Sequence, residues 1–311
     1  MPLSSLLNLT QTALELALFN SLTVLALFLS YSMLNVCDLS TDGCYALGAA
    51  VGAVVAISGH PWLSIPAAMA AGMLSGLVTA VLQTRMGVNS LLAGIIVNTG
   101  LYSVNIWIMG GSSLLNMNKT ETVFTLLKSA LKGTPLDGMQ ALIIGLVAVA
   151  LVILFQSRFL RTKLGLAIRA TGDNPVMVRS SSINPAFTTT VGLCISNSFT
   201  ALSGCLLAQS QKSTTVDIGS GMVTVALASL LIGGVFLGRR SIPLRAVGAV
   251  LGAFVFRLVY TIALRFDLPA FMLKLISSVI VVIAISGPYL KRQLPTLRRQ
   301  LAAKSGKAGT Q

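Results

Sequence analysis

Nine stretches of this chain, at about residues 11–34, 43–58, 62–84, 88–110, 139–156, 186–208, 222–237, 244–264 and 270–289, are apolar runs with few or no charges. A run of about 20 apolar residues is what an α-helix needs to cross the hydrocarbon of a bilayer. Inside lipid every backbone N–H and C=O must be bonded within the chain, so only helices and closed barrels span it. Runs this long select helices. The expected fold is all-α: a polytopic integral membrane helix bundle of about 8–10 spans. Two runs, 43–58 and 222–237, are short and interrupted by glycine. That pattern is expected of broken or re-entrant helices at a permeation site.

Composition agrees. Charged residues make up 10% of the chain, against roughly 25% in soluble domains. So few charges could not cover the apolar surface of a soluble protein this size. The net charge of +14 does not point to nucleic acid, because the cations lie between the apolar runs and at the C-terminus. With the 157–185 segment placed in the cytoplasm, 15 of the 22 Lys and Arg fall on that side and 5 on the other. Positive residues accumulate on the cytoplasmic side, so the C-terminus is expected there too. The N-terminal end carries no basic charge, so its side stays open and no cleavable signal peptide is expected.

Enzyme chemistry is poorly supplied. No G-x-x-x-x-G-K-[ST] phosphate loop, Gly-x-Ser-x-Gly elbow or His-Glu-x-x-His pair occurs. One His and four cysteines without a C-x-x-C pair give no expected metal site or disulfide. No cofactor is expected on this chain. Any energy source must be an ion gradient or a partner.

Ionisable groups within or between the apolar runs mark function by default, because burying them is expensive. They are Glu15, Asp38, Asp42, Arg257 and Lys274. With Asn98 they are the candidates for a translocation path. Internal ion pairs between the acids and bases are an equal expectation. Asn20, Asn105, Ser196, Asn197, Ser198 and Thr200 add polar groups that could line a path or bond between helices. The pairs Gly48/Gly52, Gly72/Gly76 and Gly248/Gly252 would let helix backbones approach closely. Between two runs, "TETVFTLLKSAL" has the period of an amphipathic helix after a Thr cap.

One segment, residues 157–185, is too polar to span. In "TGDNP", Asp173 or Asn174 is placed to cap a short helix with Pro175 in its first turn. The expectation is a basic loop, a turn, then a helix to about Ser182, forming a docking surface.

"LAIRATGDNPVMVRSSSIN" resembles the cytoplasmic loop of ABC importer permeases of the branched-chain amino acid and ribose type. The spacing matches without a gap at Arg169, Ala170, Gly172, Asn174, Pro175, Arg179, Ile183 and Asn184. Val176, Met177 and Val178 replace the usual Glu-Ala-Ala, and Ser182 replaces the usual Gly. "DLSTDGCYALGAAVGA", "MGVNSLLAGIIVNTGLYSVNIWIMGG" and "LIGGVFLGRRSIPLRAVGAVLGAFVFRL" extend the resemblance over most of residues 10–290, nearest to permeases of tryptophan/tyrosine type. It implies one transmembrane permease domain over 1–290; the tail at 291–311, basic and then low in complexity, reads by its composition as a disordered cytoplasmic segment. It also implies a half-transporter in a bacterial cytoplasmic membrane. A second permease copy would complete the pathway, and ABC ATPase subunits would carry the ATP and Mg. An external solute-binding protein would deliver a small polar solute such as an amino acid. Residues Arg169, Gly172, Asp173, Asn174, Pro175, Val176, Met177, Val178 and Arg179 would receive the ATPase. The alternatives are an ion-coupled secondary transporter working through Asp38, Asp42, Arg257 and Lys274, and a membrane scaffold without transport.

Overall fold

The computed structural model describes residues 3–132, 138–237 and 241–264, with isolated positions 275, 278, 279, 282 and 286. The helices are α1 (Leu3–Leu27), α2 (Thr41–Ile57), α3 (Pro61–Thr84), α4 (Ser90–Ile108), α5 (Val123–Leu131), α6 (Gln140–Phe159), α7 (Lys163–Asp173), α8 (Pro175–Ser180), α9 (Pro185–Gln211), α10 (Met222–Leu237) and α11 (Ile242–Leu264). Eight of the nine apolar runs are thus helical. The ninth, 270–289, is described only at those isolated positions, and the tail 291–311 lies outside the described residues. Among the described residues seven spans are long and apolar enough to cross a membrane; α2, at 17 residues, is shorter. The fold is an all-α polytopic bundle.

Helix α9 is the centre, with α2, α3 and α1 packed around it. Lipid is as apolar as leucine, so burying leucine drives nothing here; close backbone approach and hydrogen bonds must hold the bundle. Glycine provides the approach. A Cβ on Gly48 would collide with the Ala201 backbone, and one on Gly52 with Cys205. A Cβ on Gly72 or Gly76 would collide with Asn197 or Leu193 of the same α9. The third pair, Gly248/Gly252, closes α11 on Gly233 and Ser229 of α10. All three glycine pairs are therefore helix crossings, and two of them clamp one helix from two sides.

Hydrogen bonds tie α1 into this centre. The hydroxyls of Ser203 and Ser196 donate to the carbonyls of Phe19 (2.6 Å) and Ala26 (2.8 Å). The Gln156 amide donates to the Leu25 carbonyl at 2.8 Å. Side chains thus approach two successive carbonyls of α1. Directly after them the helix widens into a π-helical stretch, Phe28–Met33.

The structure settles which way α1 runs. Gln11 donates to the carbonyl of Gly138 (3.0 Å), at the end of the 111–138 loop. Its other end, Met33–Leu34, lies against Gly172. The N-terminal part of α1 is therefore on the face opposite the 157–185 segment. That opposite face carries a two-stranded antiparallel ribbon, β1 (Leu114–Asn116) on β2 (Ser213–Thr215), and the amphipathic α5. Thr122 caps α5 in a reciprocal box with Thr125. Gln209 fixes this cap, donating to the Ser64 hydroxyl (2.6 Å) and accepting from the Val123 N–H (3.1 Å).

Candidate functional site: a docking helix and a junction of broken helices

Residues 163–173 form the helix α7, where the sequence reading expected a basic loop. Thr162 caps it by accepting from the Gly165 N–H at 3.2 Å. Ile168 is fully buried against Leu34 and Leu193, and Thr171 bonds Thr188 at 2.8 Å. Tertiary contacts on one face, which basic residues on the other face obscure in the sequence, make this segment helical. Gly172 is required: a Cβ there would collide with the Met33 carbonyl. Arg169 is half-buried and Asp173 exposed.

Asn174, rather than Asp173, is the cap of α8. Its Oδ1 accepts from the N–H groups of Val176 (3.0 Å) and Met177 (3.1 Å), with Pro175 as first helical residue. Helix α8 ends at Ser180. It presents Val176 and Met177, 73% and 59% exposed, while Val178 is buried. Arg179 is exposed. Ser182 follows with φ of 61°. The left-handed conformation there explains why glycine is usual in the pattern this loop resembles.

The second feature lies inside the bundle. The chain leaves the π-helical stretch at Met33, runs non-helically through 34–40, and only then begins α2. Asp38 in this break is fully buried. Its carboxylate accepts from the Ser40 N–H (2.8 Å), the Ser40 hydroxyl (2.6 Å) and the Asn197 amide (3.0 Å). Thr79 donates to the Ser40 hydroxyl at 3.2 Å, bringing in α3. Asn197 lies twelve residues into α9, far from either end, so this knot sits within the spanning layer.

Helix α10 begins in the same layer. After β2 the chain makes a 3-10 turn, Val216–Gly219, packed so closely on α2 that a Cβ on Gly219 would collide with the Asp42 carbonyl. The Asp42 carboxylate accepts from the N–H groups of Gly221 (2.9 Å) and Val223 (2.8 Å). It thereby satisfies the free donors at the start of α10 and sits at the positive end of that helix. The two short runs flagged in the sequence therefore start side by side and diverge.

Beside this junction is a cavity of about 420 Å³ between α2, α4 and the 3-10 turn, lined by Asp42, Asn98, Tyr102, Asn105 and Asp217 among others. A larger cavity, about 640 Å³, lies between α3, α5, α6 and α9, but its lining is apolar except for Ser198. It offers a polar solute nothing to bind.

Of the sequence-derived path candidates, Asp42 and Asn98 meet at the polar cavity, and Asp38 lies behind them in the buried knot. Glu15 is apart from them, accepting from Gln11 at 3.1 Å. Arg257 lies over the ring of Tyr260, 5.1 Å from its centre. Lys274 lies outside the described residues. The expected ion pairs do not form among the described residues: both aspartates are held by neutral donors. Asp217 was missed, because a lone acid after "KSTTV" carries no local signal. Of the other polar residues, Asn105 donates to the Gly43 carbonyl at 3.2 Å, and Ser196 and Asn197 bond across helices as above.

A spanning bundle in which two broken helices start together beside a polar cavity is the architecture of a multi-pass membrane transport protein. The chain belongs to the family described as "Branched-chain amino acid transport system / permease component", which matches residues 10–285. It is 28% identical to the tyrosine transport system permease protein of Clostridioides difficile, over 93% of this chain and 94% of that one. It is 31% identical to an uncharacterized protein of Rickettsia prowazekii, over 90% and 98%. It is 26% identical to a fructose import permease protein of Bifidobacterium longum, over 86% and 76%. No solved structure matches.

Proposed function

We propose that the chain is the membrane-spanning subunit of an ATP-driven ABC importer that carries a small polar solute, an amino acid, across a bacterial cytoplasmic membrane. The observation that carries this reading is α8: a capped helix projecting two large apolar side chains, Val176 and Met177, beyond the bundle on the side expected to be cytoplasmic. Exposed apolar residues on a helix outside the spanning layer need a partner. ABC ATPase subunits supply it, together with the ATP and Mg for which this chain has no motif. Helix α7, clamped to Met33 and Leu34 after the π-helical stretch and to α9, would pass the movement of α8 into the helices around the junction. A second copy of the chain would complete the pathway, and an external solute-binding protein would load it from the α5 face. The family description and the tyrosine-transporting relative favour an amino acid over a sugar.

Ion-coupled transport by this chain alone would need Asp38, Asp42, Arg257 and Lys274 in one relay. Lys274 lies outside the described residues, and the other three each have their own neutral partners instead. The test is co-purification from the native membrane. An ATPase subunit should accompany the chain, and replacing 172–179 with a flexible linker should release it. Undiminished association of the linker variant would refute the coupling role. Solute uptake driven by an ion gradient in vesicles holding only this chain would replace the whole reading.

A further inference from the structure

The polar cavity has a chemical bias. Among the described residues it is lined by two carboxylates, Asp42 and Asp217, and by no Lys or Arg. Asp42 is already committed to the start of α10. Asp217 is exposed, and its carboxylate accepts no hydrogen bond among the described residues. Asn105 supplies an independent sign. It is 1% exposed, and its amide N–H is fixed on the Gly43 carbonyl, which determines where its oxygen is. That Oδ1 accepts no hydrogen bond, a rare condition for a buried side-chain oxygen. What that oxygen lacks is a donor: Asn98, Thr99, Ser103 and Ser220 line the same cavity, but none of them bonds it. The Tyr102 ring, half-exposed on the same wall, offers a cation an aromatic face. An acid, an amide oxygen and an aromatic ring together favour a cationic donor, and they disfavour an anion.

We propose that this cavity binds the ammonium group of the transported solute, with Asp217 providing the charge, Asn105 Oδ1 a hydrogen-bond acceptor and Tyr102 the aromatic contact. This rests on the transport reading above and names the part of the solute recognised at that site. It disfavours simple carboxylic acids as solutes held there.

The test uses the full chain in lipid nanodiscs, without ATP or partner subunits, and saturation-transfer NMR, which detects weak binding. One probe is a mixture of the twenty common L-amino acids; the other is the same mixture acetylated on the α-nitrogen. At least one free amino acid should show transfer, and its acetylated form should show about a tenth as much or less. Asp217→Asn should reduce the signal about tenfold, and Asp217→Glu should keep part of it. Equal transfer to the acetylated form, an unchanged Asp217→Asn variant, or no transfer to any amino acid would each overturn the proposal. A monodisperse elution profile separates lost binding from lost fold. Failure of an ATPase to co-purify would count against the transport reading without touching this result.

Discussion

Replacing Asp38 separates a structural carboxylate from one that must carry charge. In Asp38→Ala, the Ser40 N–H, the Ser40 hydroxyl and the Asn197 amide all lose their acceptor in a site sealed from water. A buried donor left unpaired costs about 1–3 kcal/mol, and three in one network are not additive, so the expected loss is about 3–5 kcal/mol. Asp38→Asn behaves differently. Its Oδ1 keeps both bonds from Ser40. Its new amide would face the Asn197 amide, donor against donor, but Asn197 can rotate. The Asn197 Oδ1 is at present unpartnered and would then accept. Removing a buried charge also relieves desolvation. The expected cost is below about 1.5 kcal/mol. Thermal unfolding of the purified chain, followed with a thiol-reactive dye, reads this as the rise above the baseline of the half-buried Cys37 and Cys194, because Cys44 and Cys205 are fully buried free thiols. At about 2 °C per kcal/mol, Asp38→Ala should lower the apparent midpoint by about 6–10 °C and Asp38→Asn by less than about 3 °C. Solute-stimulated ATP hydrolysis should survive in Asp38→Asn. If that variant folds normally but transports nothing, Asp38 carries a charge or proton and the structural account is wrong. If Asp38→Ala is as stable as wild type, the network is not holding the break.

Other substitutions probe the remaining features. Gly48→Val should prevent folding or cost more than about 3 kcal/mol, since its Cβ has only the Ala201 backbone to occupy; expression and monodispersity check this. Ser182→Gly should stabilise the docking segment by about 0.5–1 kcal/mol, seen as slower amide exchange in α8, because serine is held there at φ of 61°. Val176→Ser with Met177→Ser should weaken ATPase association at least tenfold while leaving the unfolding midpoint within about 1 °C, since both side chains face outward. Asn174→Ala should cost α8 about 1 kcal/mol through its two lost cap bonds and weaken the same association less.

Much of this was legible in the sequence because lipid enforces strict local rules. Apolar length gave eight described helices, and glycine spacing gave the three close crossings. The Thr cap of α5 and the Asn174–Pro175 start of α8 are short-range chemistry that a linear reading can find. Legibility ended where a residue's partner is distant in the chain. Residues 163–173 read as a loop because their helix depends on Leu34 and Leu193. The acids and bases read as prospective ion pairs, yet Asp38 found Asn197 and Asp42 found the start of α10.

The sequence by itself thus determined the class of fold, the apolar spanning helices that are described and their tight crossings, since each follows from backbone satisfaction in lipid and from residue size at helical spacing. Only the tertiary structure decided that α2 and α10 start side by side, that Asp217 and Asn105 share a cavity, and that Val178 turns inward while Val176 and Met177 turn out. The physical reason is that hydropathy is a property of one segment, whereas a polar site exists only between segments. Its members come from α2, α4 and the turn before α10, brought together by helix rotations and crossings that no single stretch of residues encodes.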